Sequence, residues 1–333
     1  MFIGKGYRFW MGGVEASRLA EITTDPSKLD DGNFWAVLTS FEGEYHFARF
    51  KKVVEKPFTA DETWNRLERP WKSSVDEIDF IAYVHQIREA IAAGGVYQVN
   101  ACRQLSHFMG DKPQGLDVLF AAVLNAHPAP FATYLKIPGY EVASASPERF
   151  LSRTGSKIVT SPIKGTIRWN QEVFGDKDKS ENLMIVDLMR NDFSQVCQPG
   201  TVEVSALFRQ EKHPGITHLV SDIEGILNEG TSWKSIFEAL LPPGSVSGAP
   251  KSSALSIIEK NEGARGPYCG ALGWIHGDRA ELAVAIRTFW TTGDKYLRYG
   301  TGAGITWGSD AQAEWEETQL KARHLISIAG GEL

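Results

Sequence analysis

Helical and strand-like spacings of apolar residues occupy separate stretches of the chain. Residues 33–53 predict two strands joined by a turn at Glu42–Gly43, because strand-forming residues flank a glycine-containing turn. Residues 75–95 predict an amphipathic helix that begins with acidic residues and ends at two glycines. The apolar stripe expected on this helix consists of Ile78, Ile81, Ala82, Ile87 and Ile91.

The same periodicities extend along the rest of the chain and indicate the fold class. Strands and helices come in runs and do not alternate strictly, which favours an α+β fold with antiparallel sheets over a doubly wound parallel sheet. No linker or internal repeat is visible, so we expect residues 1–333 to form one domain. Helices are predicted at 115–126, 178–197, 231–241, 250–261 and about 309–329, and strands at 96–105, within 131–166, and at 202–208, 218–227, 269–277, 280–292 and 295–305.

Composition and charge exclude several classes of function. The net charge of −6 argues against nucleic acid as the main partner, because binding phosphates needs a basic face. The three cysteines are isolated, so we expect neither a disulfide framework nor a zinc site. The longest apolar run, 118–124, is too short to cross a bilayer, and the first residues show no signal peptide. We therefore expect a cytoplasmic protein without a membrane partner.

The segment SPIKGTIRW (161–169) contains the first candidate for chemistry. Lys164 stands between a Pro–Ile pair and a Gly–Thr pair, which indicates a strand end or a tight loop. A lysine held in this way can be a surface charge, a clamp for an anion or a nucleophile. The spacing alone does not decide among these three roles.

Carboxylates on two predicted helices form a candidate metal site. Glu314, Glu317 and Lys321 share one helix face, and Glu181 begins another helix. Two helices that each offer a glutamate to a common point could hold Mg²⁺, which prefers carboxylate oxygen. The alternative is a solvated face of paired Glu and Lys residues.

Other residues suggest binding of anions. The segment YGTGAGI (299–305) has the spacing GxGxG, unlike the GxGxxG of dinucleotide sites, and predicts a carboxylate-binding loop or a tight turn. Arg287 lies among apolar residues and needs an anionic partner, either a bound carboxylate or a protein glutamate. Glu148 could be a surface acid at a turn, and His218 a structural strand residue. The loop at 242–254 could bind an anion through helix N-terminal amides or simply start a helix.

Taken together, these motifs resemble the chorismate-utilising enzymes, a family that includes anthranilate, aminodeoxychorismate, isochorismate and salicylate synthases. The resemblance covers about residues 75–330 and implies an α+β fold of two packed antiparallel sheets flanked by helices. The PIKGT lysine resembles the aminodeoxychorismate branch, where anthranilate synthases carry alanine. The motifs occur in the family's order and are SASPERF, PIKGT, ENLMIVDLMRND, HLVS, GSVSGAPK, AIRT, GTGAGI and EWEETQLKAR.

The resemblance also implies roles for individual residues. Lys164 would be the nucleophile and Glu148 the general acid that protonates the leaving hydroxyl. Mg²⁺ would be held by Glu181 and Glu317, with Glu314 assisting. The residues implied to bind the substrate are Gly165, Thr166, His218, Tyr268, Arg287, Gly302, Ala303, Gly304 and Lys321.

Departures from the family pattern shape the remaining expectations. The N-terminal region, about residues 1–74, is shorter than in long members, which puts their tryptophan pocket in doubt here. No cysteine nucleophile of a glutaminase is present, so ammonia is expected from a separate glutamine amidotransferase. The resemblance leaves open a relative that makes anthranilate, isochorismate or salicylate, and a non-catalytic subunit that only binds chorismate.

Overall fold

The computed structural model describes residues 6–168, 174–213 and 216–333. Within them, six α-helices and eighteen strands form an α+β fold. The helices are α1 (Glu77–Ala92), α2 (Leu116–Ala126), α3 (Asp176–Ser194), α4 (Trp233–Leu240), α5 (Lys251–Asn261) and α6 (Ala311–Ala329). The strands are β1 (Arg8–Met11), β2 (Val14–Thr23), β3 (Phe34–Thr39), β4 (Tyr45–Glu55), β5 (Lys72–Ser73), β6 (Gln98–Phe108), β7 (Phe131–Ile137), β8 (Tyr140–Ser146), β9 (Arg149–Thr154), β10 (Lys157–Ser161), β11 (Ile163–Arg168), β12 (Glu203–His213), β13 (Ile216–Ile226), β14 (Gly248–Ala249), β15 (Ala271–His276), β16 (Arg279–Val284), β17 (Thr288–Thr291) and β18 (Tyr296–Ile305).

Antiparallel pairing joins these strands into one large curled sheet. The α+β class with antiparallel strands and flanking helices is confirmed, and the two packed sheets expected from the sequence are parts of one hydrogen-bonded network. Its longest ladder pairs β6 with β18, from Phe108 opposite Tyr296 to Val99 opposite Ile305. A second group of strands, β9, β10, β11, β12 and β13, carries the PIKGT segment.

Two clusters of buried apolar side chains hold the helices against the sheet. The larger one includes Trp35, Phe80 and Phe237 and collects residues of α1, α3, α4 and α5. The smaller one includes Phe120 and Leu325 and lies beneath α2 and the second half of α6. Burying each such side chain contributes about 1.5–3 kcal/mol to folding. Because Ala311 and Trp315 belong to the larger cluster and Leu325 to the smaller one, packing holds both ends of α6 against the sheet.

The expected apolar stripe of α1 was partly wrong. Ile78 is 78% exposed, whereas Phe80, Tyr83, Val84 and Ile87 are buried. These four positions also follow an i, i+3, i+4, i+7 spacing. The two aromatic residues bury more apolar area than isoleucine does, and the helix turns that face towards the core.

The strand predicted at 280–292 is two strands. Arg287 has a φ of 50°, which is left-handed, and it separates β16 from β17. A non-glycine residue in this region interrupts a strand, and the apolar pattern gave no sign of it. Among the described helices, none combines the length and apolar character needed to span a membrane. The assignment of the whole chain to one domain stays a prediction.

Candidate active site

Lys164 lies on a strand of the sheet, and Glu148 lies in the short connection between two other strands. Glu148 follows β8, immediately before β9, and is 4% exposed. Lys164 is the second residue of β11, and its Nζ donates a hydrogen bond to the Ser245 carbonyl oxygen at 3.1 Å. The pairing of β11 with β13 is irregular between Ile163 and Thr166. Such an irregularity re-aims a side chain relative to a regular strand, which is why Lys164 can turn towards Ser245.

Gly165 is required by the backbone at this irregularity. Its φ of +87° is left-handed, and a Cβ placed there would lie 2.9 Å from Cβ of Asp178 and 3.1 Å from Phe174. Both conditions exclude a side chain, since L-residues are strained at this φ and the space is filled by α3 and the segment before it. Gly165 thus lets β11 approach α3. The side chain of Thr166 lies outside the described residues, although its backbone pairs with that of His218.

The electrostatic surroundings favour the neutral form of both the acid and the amine. Burial raises the pKa of Glu148 to about 7, while a hydrogen bond from the Ser245 side chain and the charges of Lys164 and Lys321 oppose that rise. Burial lowers the pKa of Lys164, and the nearby carboxylates of Glu181 and Glu148 limit that fall. A neutral amine can attack carbon, and a neutral carboxyl can give up a proton.

The three predicted metal ligands lie on α3 and α6. Glu314 is 4% exposed in the first turn of α6. Glu317 forms an ion pair with Lys321, in which Oε1 of Glu317 lies 2.6 Å from Nζ of Lys321. The carboxylates of Glu181 and Glu317 both act on the charge of Lys164, so the two helices present acids to the same region. Within the described ranges, no three or more Asp, Glu, His or Cys residues form a ready-made metal site.

These carboxylates nevertheless suit a hard cation. Mg²⁺ is usually bound through one or two carboxylates, with waters and substrate oxygens completing its shell. Glu181 and Glu317, from separate helices, match such an open set of ligands. Glu314 is buried beside them on α6, one turn before Glu317.

The glycines of β18 allow other side chains to pack closely on the strand. The strand predicted at 295–305 is confirmed as β18, whereas the expectation of a loop or tight turn at its glycines was wrong, because they lie in a regular ladder with β6. A Cβ on Gly300 would come within 2.1 Å of the Tyr268 ring, and one on Gly304 within 2.3 Å of Nε2 of Gln98. A Cβ on Gly304 would also lie 3.6 Å from Nζ of Lys164. This face of β18 therefore borders the region around Lys164.

Arg287 is a candidate clamp for a bound carboxylate. Its Nη1 lies 3.1 Å from Nε2 of His127, and burial lowers the pKa of the guanidinium. In the described part of the chain, no carboxylate lies within ion-pair distance of Arg287. A buried arginine without an acidic neighbour favours an anionic ligand over a protein glutamate, the two partners that the sequence left open.

The remaining predicted residues lie on or against β13 and β18. His218 is 2% exposed on β13, and Tyr268 is 5% exposed against β18. Nζ of Lys321 donates to the carbonyl oxygen of Gly302 at 3.0 Å, so α6 is tied to β18 beside Ala303. The residues implied as site residues thus come from β8–β9, β11, β13, β18, α3 and α6 and from the segments beside β15 and β17.

Sequence reasoning missed Ser245 and Gln98. Ser245 lies in the 242–254 loop, which attracted attention only for its backbone amides, and its carbonyl oxygen accepts the hydrogen bond from Nζ of Lys164. Gln98 is 1% exposed, and its Oε1 makes no hydrogen bond within the described structure. Neither Ser245 nor Gln98 belongs to a motif that indicates chemistry, because the residues that each one contacts lie far away in the sequence.

The site thus contains a buried acid with a raised pKa, an amine with a lowered pKa and carboxylates from α3 and α6, and Arg287 has no carboxylate partner in the described chain. The model of the chorismate binding enzyme family matches residues 20–327. The chain belongs to this family. The match extends from the end of β2 to the last turn of α6 and includes every residue discussed in the site.

Similar proteins include curated relatives with two different names. Anthranilate synthase component 1 1 of Haloarcula marismortui is 35% identical over 274 residues, which is 78% of this chain and 55% of that protein. Aminodeoxychorismate synthase component 1 of Salmonella typhimurium is 34% identical over 275 residues, which is 78% of this chain and 60% of that protein. The chain matches only a little over half the length of these relatives.

Solved structures confirm the fold. The crystal structure of anthranilate synthase component I from Streptococcus pneumoniae superposes with a TM-score of 0.82 at 20% identity and covers 98% of this chain and 94% of its own. The menaquinone-specific isochorismate synthase of Escherichia coli gives a TM-score of 0.82 at 19% identity and covers 97% and 88% of the two chains. Proteins with different names share this fold, so the fold does not distinguish their reactions.

Proposed function

We propose that the chain is an aminodeoxychorismate synthase component I, which converts chorismate and ammonia to 4-amino-4-deoxychorismate. The observation that carries the proposal is the position of Lys164, a lysine with a lowered pKa held by Ser245 close to the buried acid Glu148. A nucleophilic amine serves little purpose in a reaction that adds water or ammonia directly. It is useful when a displacement is divided into two steps.

In the proposed first step, neutral Nζ of Lys164 attacks C2 of the chorismate ring. The ring double bond shifts, the C4–oxygen bond breaks, and Glu148 gives its proton to the departing hydroxyl, which leaves as water. In the second step ammonia bonds to C4, the double bond shifts back, and the bond from Nζ to C2 breaks. Lys164 is released as a neutral amine, and the ammonium formed at C4 returns a proton to Glu148. The net change is loss of water and gain of ammonia, so an amino group replaces the hydroxyl at C4.

The other residues of the site bind and orient the substrate in this proposal. Arg287 would hold one carboxylate of chorismate, since no protein carboxylate lies within ion-pair distance of it in the described chain. Tyr268 and the bare face of β18 would border the ring. Glu181 and Glu317 would hold Mg²⁺, with Glu314 assisting, and the bound ion would supply positive charge to a ring carboxylate. Ammonia would come from a separate glutamine amidotransferase.

Anthranilate synthase component I is the second candidate, because relatives at similar identity carry that name. Incubation with chorismate, Mg²⁺ and an ammonium salt at mildly alkaline pH, followed by chromatography and mass spectrometry, separates the two. We expect aminodeoxychorismate from the wild type and its loss in Lys164→Ala. Lys157→Ala, which changes a lysine with a 48% exposed side chain on β10, is the matched control and should retain activity.

Other outcomes would overturn the proposal in different ways. Anthranilate or isochorismate as the product would retain the family and reject the branch. An unchanged product in Lys164→Ala would reject the amine as nucleophile. Chorismate binding without turnover in the presence of Mg²⁺ and ammonia would favour a non-catalytic binding subunit.

A further inference from the structure

His127 contacts the guanidinium of Arg287 through one ring nitrogen. Nη1 of Arg287 lies 3.1 Å from Nε2 of His127, which is hydrogen-bond distance. The guanidinium has only N–H donors, so Nε2 must be the acceptor and His127 must be neutral, with its proton on Nδ1. Within residues 6–168, 174–213 and 216–333, the Arg287 side chain makes no other hydrogen bond. The orientation of the guanidinium therefore depends on His127.

Two helices hold His127 in place. It caps the C-terminus of α2, where its backbone N–H donates to the carbonyl oxygen of Val123 at 2.8 Å. Pro128 follows directly and keeps the residue before it out of the helical conformation, in agreement with the φ of −145° at His127. The ring of His127 packs against that of His324 on α6, with centroids 5.1 Å apart. The acceptor thus has a defined position before any ligand binds.

The backbone of Arg287 is anchored to the sheet, and only its long side chain has freedom left. Its carbonyl oxygen accepts a hydrogen bond from the N–H of Ala145 at 3.0 Å, and the next residue, Thr288, pairs with Ser144 on β8. Ordering a flexible arginine side chain on ligand binding costs conformational entropy. A hydrogen bond that orders the side chain beforehand removes that cost from binding.

We propose that His127 is a positioning residue that holds the guanidinium of Arg287 in the orientation that binds a carboxylate of the ligand. Because His127 accepts from Nη1, the edge formed by Nε and Nη2 stays available, and this edge matches the two oxygens of a carboxylate. The role of Arg287 as a carboxylate clamp rests on the proposed function. The hydrogen bond between the two side chains belongs to the resting protein and can be tested without substrate.

The first test reads the protonation of His127 by long-range NMR of protein that contains ¹⁵N-labelled histidine, at mildly alkaline pH and without ligand. The signal that disappears in His127→Gln assigns the residue. We expect the proton on Nδ1 in the wild type, and a shift of the Nε2 resonance in Arg287→Met, which lacks the donor. A proton on Nε2 in the wild type would overturn the proposal, whatever reaction the protein catalyses.

The second test measures the dissociation constant of chorismate by calorimetry, with Mg²⁺ and without ammonia. His127→Phe keeps a ring beside His324 but has no acceptor, whereas His127→Gln offers an oxygen at about the reach of Nε2. We expect His127→Phe to bind about 10-fold more weakly, the effect of one lost hydrogen bond, and His127→Gln to recover most of the loss. His324→Phe, which alters only the neighbouring ring, is the control and should bind like the wild type.

A double-mutant comparison separates positioning from packing. Arg287→Lys keeps a positive charge but lacks the fork that His127 orients, so adding His127→Phe should have little further effect on binding. An equal loss of affinity in both backgrounds would overturn the proposal, because His127 would then act through the packing of α2 alone. Normal binding by the single variant His127→Phe would also overturn it. A wild type that does not bind chorismate would instead reject the proposed function, so the two failures are distinguishable.

Discussion

The Lys251 ammonium and the Asp192 carboxylate lie 2.6 Å apart, with side chains only 17% and 6% exposed. The pair joins the first residue of α5 to the end of α3. Burial raises the pKa of Asp192, and Lys251 opposes that rise. The two residues therefore fasten the loop that carries Ser245 to the helix that carries Glu181.

Replacing Lys251 with methionine should destabilise the fold by about 3–5 kcal/mol, because it leaves a buried carboxylate without its partner. Without the lysine, the folded-state pKa of Asp192 should rise further above its unfolded value. The folded variant then binds a proton more tightly than the unfolded chain, so the deficit should shrink as the pH falls.

Urea unfolding of Lys251→Met at pH 5 and pH 8 measures both effects. Lys234→Met is the control, because its pair with Glu238 has side chains 57% and 61% exposed and should contribute almost nothing. Equal stability of Lys251→Met and the wild type at pH 8 would contradict the assigned role of the pair.

Gly165→Ala should lower both stability and activity. The left-handed φ of +87° costs an alanine about 1–2 kcal/mol. The clash with Asp178 adds to this and should displace Lys164. Gly155→Ala, at a φ of +63° with no atom near the added Cβ, carries the strain without the clash. We expect similar activity in Gly155→Ala and the wild type, and a drop of at least tenfold in Gly165→Ala, measured as chorismate turnover.

Glu148 should produce an alkaline limb near pH 7 in the profile of kcat/KM. Its pKa of about 7 means that the proton needed by the leaving hydroxyl is lost as the pH rises through that value. Glu148→Gln should reduce kcat by about 10²–10⁴-fold and remove this limb. Glu141→Gln, which changes a glutamate on β8 that accepts from the Tyr134 hydroxyl, should leave the limb in place.

Arg287 and Arg265 offer a direct comparison of buried arginines. Arg265 is 1% exposed and its Nε lies 2.7 Å from Oε2 of Glu262. Arg265→Met should cost about 3–5 kcal/mol, since a buried glutamate loses its partner. Arg287→Met should cost less than about 1 kcal/mol, because it removes a buried charge that has no carboxylate beside it in the described chain.

Thermal unfolding with and without chorismate tests the pair of variants. We expect Arg287→Met to keep its melting temperature and to lose the stabilisation that chorismate gives the wild type. A large loss of stability without ligand would assign Arg287 a structural role instead.

The sequence indicated the elements better than the contacts between them. Periodicity placed α2, α5 and α6 within a few residues of their observed ends, because local apolar spacing reflects which face is buried. It did not reveal the break at Arg287, since a left-handed arginine is held by its surroundings and not by its own preference. The exposed Ile78 illustrates the same limit, because several helical faces are apolar and packing selects one.

Within the site, the residues that carry charge could be predicted and the residues that orient them could not. Lys164 and Glu148 belong to recognisable motifs, and their types suggest nucleophile and acid. Ser245 is 81 positions from Lys164 in the chain, and its contact is made by a backbone carbonyl. No feature of residue type encodes such a contact, because it depends on how the turn at Gly244 packs on α3.

The two faces of β18 place opposite demands on its sequence. Gly300, Gly302 and Gly304 face Tyr268, Cys102 and Gln98, whereas Thr301 and Ala303 point into the buried side of the sheet. A side chain at Gly304 would come close to the amine of Lys164, and one at Gly300 or Gly302 would collide with Tyr268 or Cys102. The second face can exchange residues of similar volume. Tolerance to substitution should therefore alternate along β18 with a period of two, because the three glycine positions have no room for a side chain.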